Sequence, residues 1–229
     1  MRLAATEYSR FQQMLEQLCP ADWARPTDCP GWDVRACAGH VLGMAEMAAS
    51  MRQSIHQMRA AKKRGGVMID ALTAVQVEEQ AHLSPEQLLN RLAQVGPKAA
   101  RGRRRAPGFV RRRTMPDPQP VGELSESWTF GYLLDVILTR DPWMHRVDLS
   151  RAAGRDVVLT ADHDGVIVSD VVEEWAGRHG EPFALELTGP AGGSWGGAGE
   201  PVVVDAIEFC RALSGRGSVE GTRGVAVPF

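Results

Sequence analysis

The stretch Val136–Ala152 reads VILTRDPWMHRVDLSRA. At its centre Asp141 and His145 stand four residues apart, which puts a carboxylate and an imidazole on one face of a helix. Leu134 and Leu138 fall on the same face, at the spacing that points into a core. Two ligand-type side chains at the end of an apolar stripe are costly to bury unless something pairs with them. A divalent metal is one such partner; a surface Asp–His pair is the plain alternative. The choice turns on whether a third ligand stands on another helix.

The surrounding chain has 229 residues, 44% hydrophobic and 24% charged, which describes a globular protein of one large or two small domains. Met1–Arg10 lacks the apolar core of a signal peptide and no stretch approaches a membrane span, so the expectation is a cytoplasmic protein. Cys19, Cys29, Cys37 and Cys210 form no CxxC pair, and the expectation is free thiols, with Cys37 in the core. No G-x-S-x-G elbow is present and no Cys–His pairing is evident from spacing. Residues 1–155 carry 22 Lys/Arg against 16 Asp/Glu, whereas residues 156–229 carry 4 against 12. This shift near Gly154 sets the expected boundary between a domain over 1–155 and another over 156–229.

The first part reads as a helical bundle. Leu3, Phe11, Leu15 and Leu18 mark a first helix that stops before Pro20. The loop RPTDCPGW is full of turn residues. Asp33 is a suitable N-cap for one long helix, VRACAGHVLGMAEMAASMRQSIHQMRAAKKR, with Cys37, Val41, Met44 and Met51 in its apolar stripe. His40 sits beside that stripe. Met68–Gln80 reads as a third helix, and Ser84 with Pro85 opens another. A long helix is expected from Val121 onward, carrying Asp141 and His145. Pro142 predicts a kink between Leu138 and Asp141; alternatively Asp141 caps a fresh helix with Pro142 at its first position.

Arg101–Arg113 holds seven arginines. Pro107 and Gly108 interrupt the run and no nucleic-acid motif accompanies it, so it reads as a solvated loop and nucleic acid is not expected as a partner. The second part reads as a small α+β unit. It comprises a helix over Asp162–Arg178 capped by Thr160, a strand Phe183–Leu187, and a turn-rich hairpin returning through Trp195. A helix over Pro201–Leu213 follows, and Gly224–Phe229 is a candidate last strand.

If His40 faces the Asp141–His145 pair across the bundle, two imidazoles and one carboxylate make a metal site with an open position, as in catalytic zinc sites. On the residues alone, the preferred reading of His40 is a core-edge imidazole bonded to a backbone carbonyl. The segment TDCPGWDVRACAGHVLG resembles the start of the second helix of the mycothiol-dependent maleylpyruvate isomerase family. RDPWMHRVDLSRAAGR is similar to that family's second metal segment, and PVVVDAIEFCRALSGR resembles its small C-terminal domain. The resemblance implies an α+β chain: a DinB-like metal-binding four-helix bundle followed by a small α+β domain. It implies a divalent metal, commonly zinc, on His40, Asp141 and His145, with mycothiol as cofactor. It also offers Arg216, in LSGR, as the candidate catalytic arginine, although a helix-end charge reads equally well there. Asp141 stands where the isomerase that founds the family has a longer Glu; the family pattern is a carboxylate there. Asp148 is either a partner orienting His145 or a salt bridge to Arg151.

The resemblance implies an enzyme that activates a small thiol for isomerisation of, or S-transfer to, a small electrophilic substrate. The competing readings are a non-catalytic metal- or ligand-binding module and a nucleic-acid-associated protein.

Overall fold

A computed structural model describes residues 2–229 of the chain. The described residues divide into two compact units, one of residues 2–119 with 127–157 and one of residues 120–126 with 158–229.

The first unit is helical. Its helices are α1 (Arg2–Glu16), α2 (Val34–Ala49), α3 (Met51–Arg64), α4 (Met68–Gln80), α5 (Pro85–Arg105), the short α6 (Gly108–Arg111) and α7 (Phe130–Tyr132), and α8 (Leu138–Ala153). α1, α5, α2 and α8 pack in a ring, and α4 lies against α2 and α3. Phe11, Leu15, Val41, Leu42, Leu92 and Leu149 fill the ring's centre. α5 and α2 approach so closely that a Cβ on Gly102 would stand 2.2 Å from the Ala48 carbonyl oxygen, so only glycine fits there.

Local signals place several boundaries. α4 occupies Met68–Gln80 as read. α5 opens with Pro85 in its first turn behind a capping box, in which Ser84 Oγ accepts from Gln87 N and Gln87 Oε1 accepts from Ser84 N.

The expected single helix from Val34 is two. Ser50 is extended (φ −144°, ψ 121°) and its hydroxyl caps α3, the competition with helical bonding that serine offers. Met51, expected in the stripe, is 76% exposed as a result. The expected helix from Val121 starts only at Phe130, where Thr129 Oγ1 accepts from Tyr132 N at 3.1 Å. Before it, β1 (Gln119–Val121) and β2 (Leu124–Glu126) form a hairpin. Its two-residue loop starts at Gly122, φ 57°, the position where such turns want glycine.

The arginine run is the end of α5 and the whole of α6, not a loop. Arg101, Arg104, Arg105, Arg112 and Arg113 are exposed, but Arg103 is buried. We expect only weak, sequence-independent DNA binding. With at most five phosphate contacts its affinity should fall by roughly two to three orders of magnitude between 50 and 200 mM salt. Tight binding to one sequence at physiological salt in a fluorescence-anisotropy titration would overturn this.

The second unit holds α9 (Asp164–His179), β3 (Ala184–Thr188), β4 (Gly193–Gly196), β5 (Val202–Asp205) and α10 (Ala206–Leu213), with strand order β4-β3-β5. The β3–β4 hairpin pairs Leu185 with Trp195, as expected for Trp195 on the returning strand. The helix expected over Pro201–Leu213 is a strand followed by a helix. Val202, Val203 and Val204 are β-branched and pair in parallel with β3, and Asp205 Oδ1 then accepts from Ile207 N and Glu208 N to start α10. Thr160 does not cap α9 with its side chain; the Asp164 carboxylate accepts from Thr160 N at 2.7 Å. Gly224–Phe229 is not a strand; Val227 N bonds the Leu213 carbonyl at 3.0 Å instead.

Candidate metal centre

Three segments of the first unit build the site. The first is the loop before α2. Cys29-Pro30-Gly31-Trp32 is a tight turn closed by Trp32 N donating to Cys29 O at 3.0 Å, with Gly31 at φ 78°. Proline and glycine at the two central positions suit a type II turn. Thr27 N and Oγ1 both donate to Trp32 O at 3.0 Å, tying the loop's two arms together. The second segment is α2, started by Asp33 Oδ1 accepting from Ala36 N at 2.8 Å, with His40 in its second turn.

The third is α8. A π-helical turn over Leu133–Ile137 leads directly into it, and α8 then runs unbroken through Pro142. The irregularity therefore lies before Leu138, not between Leu138 and Asp141 as Pro142 had suggested. Nor does Asp141 cap the helix, since Ile137 holds that position. The reason is Arg103 of α5. Pro142 leaves the Leu138 carbonyl without its helical donor. Arg103 Nη1 donates to that carbonyl at 2.7 Å, its Nε to Leu134 O at 2.7 Å, and its Nη2 to Thr139 Oγ1 at 2.5 Å. A buried guanidinium thus supplies the missing donors and the helix need not break.

These segments bring His40, Asp141 and His145 together. His40 Nε2 lies 3.4 Å from Asp141 Oδ1 and 3.3 Å from Oδ2, and His145 Nε2 lies 3.6 Å from Oδ1. One donor atom from each of the three falls within 4.8 Å of the others. Two donors each about 2.0–2.1 Å from one tetrahedral zinc ion stand about 3.3–3.4 Å apart, so the spacings around Asp141 suit a single small divalent ion. Both imidazoles are nearly buried, and the Asp141 side chain is 16% exposed.

Asp148 is fully buried and its Oδ2 stands 3.0 Å from His145 Nδ1, the contact expected of a partner that orients this imidazole; Arg151 reaches Asp28 at 3.4 Å. With Nδ1–H bonded to Asp148, it is loss of the Nε2 proton that would free a lone pair facing His40 and Asp141, the carboxylate–histidine arrangement that orients metal-ligating imidazoles. Burial alone disfavours a charged His145. The Asp141 charge and the bonds to Asp148 and Cys29 outweigh it and push the imidazole up to about 10, so the surroundings strongly favour a positive charge here.

Two residues enter that the spacing of the sequence did not show. The Trp32 ring lies 5.1 Å from the His40 ring and 5.7 Å from that of His145, covering both. Cys29 Sγ stands 3.7 Å from His145 Nδ1 and 3.4 Å from Asp148 Oδ2. A Cys–His pairing therefore exists, across 116 positions of sequence. A hydrogen bond from Cys37 and the nearby imidazole draw the Cys29 thiol down against its partial burial, while the Cys37 thiol is pushed up by the Cys29 sulphur and by burial. The only signal in the sequence was the turn-rich TDCPGWD loop, which carries both residues. Arg216 lies in the second unit, just past α10, half-buried, with its backbone N bonded to Arg211 O.

A cavity of about 380 Å³ opens on this cluster, walled by Pro30, Trp32, Asp70, Thr73 and Ala74 along with Cys29 and the three candidate ligands.

A helical ring with two imidazoles and a carboxylate facing each other across two of its members is the way helical bundles build metal sites. Residues 4–150 match the family described as the mycothiol maleylpyruvate isomerase N-terminal domain, and the chain belongs to that family. The crystal structure of the mycothiol-dependent maleylpyruvate isomerase superposes with a TM-score of 0.57 at 19% identity, covering 95% of this chain and 88% of that one. A histidine-to-alanine mutant of that isomerase gives 0.56 with the same identity and coverage. This likeness speaks for the fold. Two uncharacterised proteins of Mycobacterium tuberculosis, from strains CDC 1551 / Oshkosh and ATCC 25618 / H37Rv, are each 27% identical over 215 residues, covering 86% of this chain and 77% of theirs. Among the described residues no helix is long and apolar enough to cross a membrane.

Proposed function

We propose that this chain is a mycothiol-dependent metalloenzyme in which His40, Asp141 and His145 hold one divalent ion of zinc type, serving to activate a small thiol for isomerisation of, or S-transfer to, a small electrophile. The observation that carries the proposal is the convergence of two imidazole Nε2 atoms on one carboxylate at 3.3–3.6 Å, beside a cavity. When bound, such an ion supplies the positive charge that lets a thiol lose its proton at neutral pH.

The chain's own groups do the rest. Asp148 holds the proton on His145 Nδ1 and so keeps Nε2 directed at Asp141. Trp32 shields both imidazoles from water. The cavity, about 380 Å³, suits a thiol and a small electrophile rather than a macromolecule. A thiolate adding to a polarised double bond leaves a single bond; rotation and loss of the same thiolate then return the alkene with its other geometry. Displacement at an electrophilic carbon is the S-transfer version. Arg216 is proposed, from the family resemblance, as the group that recognises a carboxylate on the electrophile. The proposed compartment is the cytoplasm, where small thiols are kept reduced.

The test is calorimetric titration of mycothiol into metal-loaded protein in two buffers of different ionisation enthalpy. Proton release that requires metal and disappears in His40→Ala is the expected result. Absence of thiol binding at millimolar concentration would end the proposal and leave a metal-binding module.

A further inference from the structure

Two thiols that this chemistry does not use lie against the same site. Cys29 occupies the first corner of the Cys29–Trp32 turn, half-buried, and lines the cavity. Cys37 is fully buried one turn into α2, with Thr27 Oγ1 at 3.5 Å. The two sulphurs and a ring nitrogen of His145 all lie within 4.8 Å of one another. The arrangement comes from the loop folding back on the helix it leads into, pinned by the Pro26–Asp33 bridge and by Val34 N donating to Arg25 O at 3.0 Å.

A reagent in the cavity meets Cys29 first, and Cys37 waits behind it. Closing a bond of about 2.05 Å between sulphurs that start within 4.8 Å requires a shift of less than about 3 Å.

We propose that Cys29 and Cys37 are an oxidisable dithiol that closes to a disulfide when a low-molecular-weight disulfide reaches Cys29 through the cavity. The Cys29 sulphur attacks one sulphur of RSSR. The S–S bond breaks, Cys29–S–SR forms, and the departing RS⁻ takes up the Cys29 proton and leaves as RSH. The Cys37 sulphur then attacks Cys29 Sγ, expelling a second RS⁻, which leaves with the Cys37 proton. The two protein thiols are oxidised by two electrons and one RSSR is reduced to two RSH. The oxidised form has lost the Cys29 S–H that points at Asp148 Oδ2 at 3.4 Å, so the partner of the His145 imidazole is altered by oxidation.

The experiment uses the full chain with Cys19→Ser, because Cys19 is exposed and would react independently. The reduced protein is treated with 2-hydroxyethyl disulfide, denatured, alkylated with N-ethylmaleimide and mapped by mass spectrometry. The expected result is a Cys29–Cys37 linked peptide, no retained mercaptoethanol, and an alkylated Cys210. In Cys37→Ala the mixed disulfide should remain on Cys29; in Cys29→Ser, Cys37 should stay reduced. A stable mixed disulfide on Cys29 beside an alkylated Cys37, or both thiols alkylated after excess reagent, would overturn the proposal. The readout involves neither metal nor turnover, so it stands or falls apart from the proposed function.

Discussion

His145→Ala is expected to take the bound divalent ion from about one per chain to near zero, measured by inductively coupled plasma mass spectrometry after gel filtration. The loss should be nearly complete because the substitution removes one of three converging donors, leaving His40 and Asp141 with only a pair of contacts. Far-UV circular dichroism distinguishes loss of the ion from loss of the fold. Asp148→Asn keeps the shape but weakens the hold on Nδ1, and should lower metal affinity by about 10–100-fold. The pH dependence has a definite sign. With His145 pushed up to about 10, its proton is present at neutral pH and an ion at Nε2 must displace it. Metal affinity should therefore fall about tenfold for each unit the pH is lowered below that value, with one proton released per ion bound. Unchanged metal content in His145→Ala would refute the ligand assignment.

Arg103→Ala is expected to destabilise the first unit by about 3–5 kcal/mol, since it removes the donors to the buried Leu138 carbonyl, the part-buried Leu134 carbonyl and the Thr139 hydroxyl, at about 1–3 kcal/mol for each acceptor that loses its donor. Urea denaturation followed by circular dichroism measures it. Pro142→Ala offers an independent check, because it restores the backbone N–H that Leu138 O lacks. Alone it should change little; combined with Arg103→Ala it should recover about 1 kcal/mol, a coupling that additive effects do not produce. A cost below about 1 kcal/mol for Arg103→Ala would mean that water or a local shift satisfies these groups, and that the guanidinium is not what keeps α8 continuous.

The contrast between Pro142 and Arg103 shows where reading the sequence succeeds and where it stops. Proline removes a donor wherever it stands, and an orphan carbonyl at Leu138 follows from that one residue. Which group would answer the orphan carbonyl does not, because Arg103 lies 35 positions earlier, in a run whose composition reads as solvated surface. The same limit governs Val202–Val204. Apolar residues before a capping Asp205 are compatible with helix or strand, and only the edge offered by β3 makes the strand the better place for three β-branched side chains.

What the sequence determined by itself is what acts within about one turn: the capping box that opens α5, Asp33 at the start of α2, the Pro30-Gly31 turn, and the shared face of Asp141 and His145. These interactions join residues two to four apart, so the spacing specifies the geometry. Tertiary structure alone decided that His40 reaches Asp141 across 101 positions, that Trp32 covers both imidazoles, and that Cys29 stands against His145. Those contacts depend on how α2, α8 and the preceding loop pack. Packing is set by the summed burial of many side chains, a collective quantity that no single spacing along the chain records.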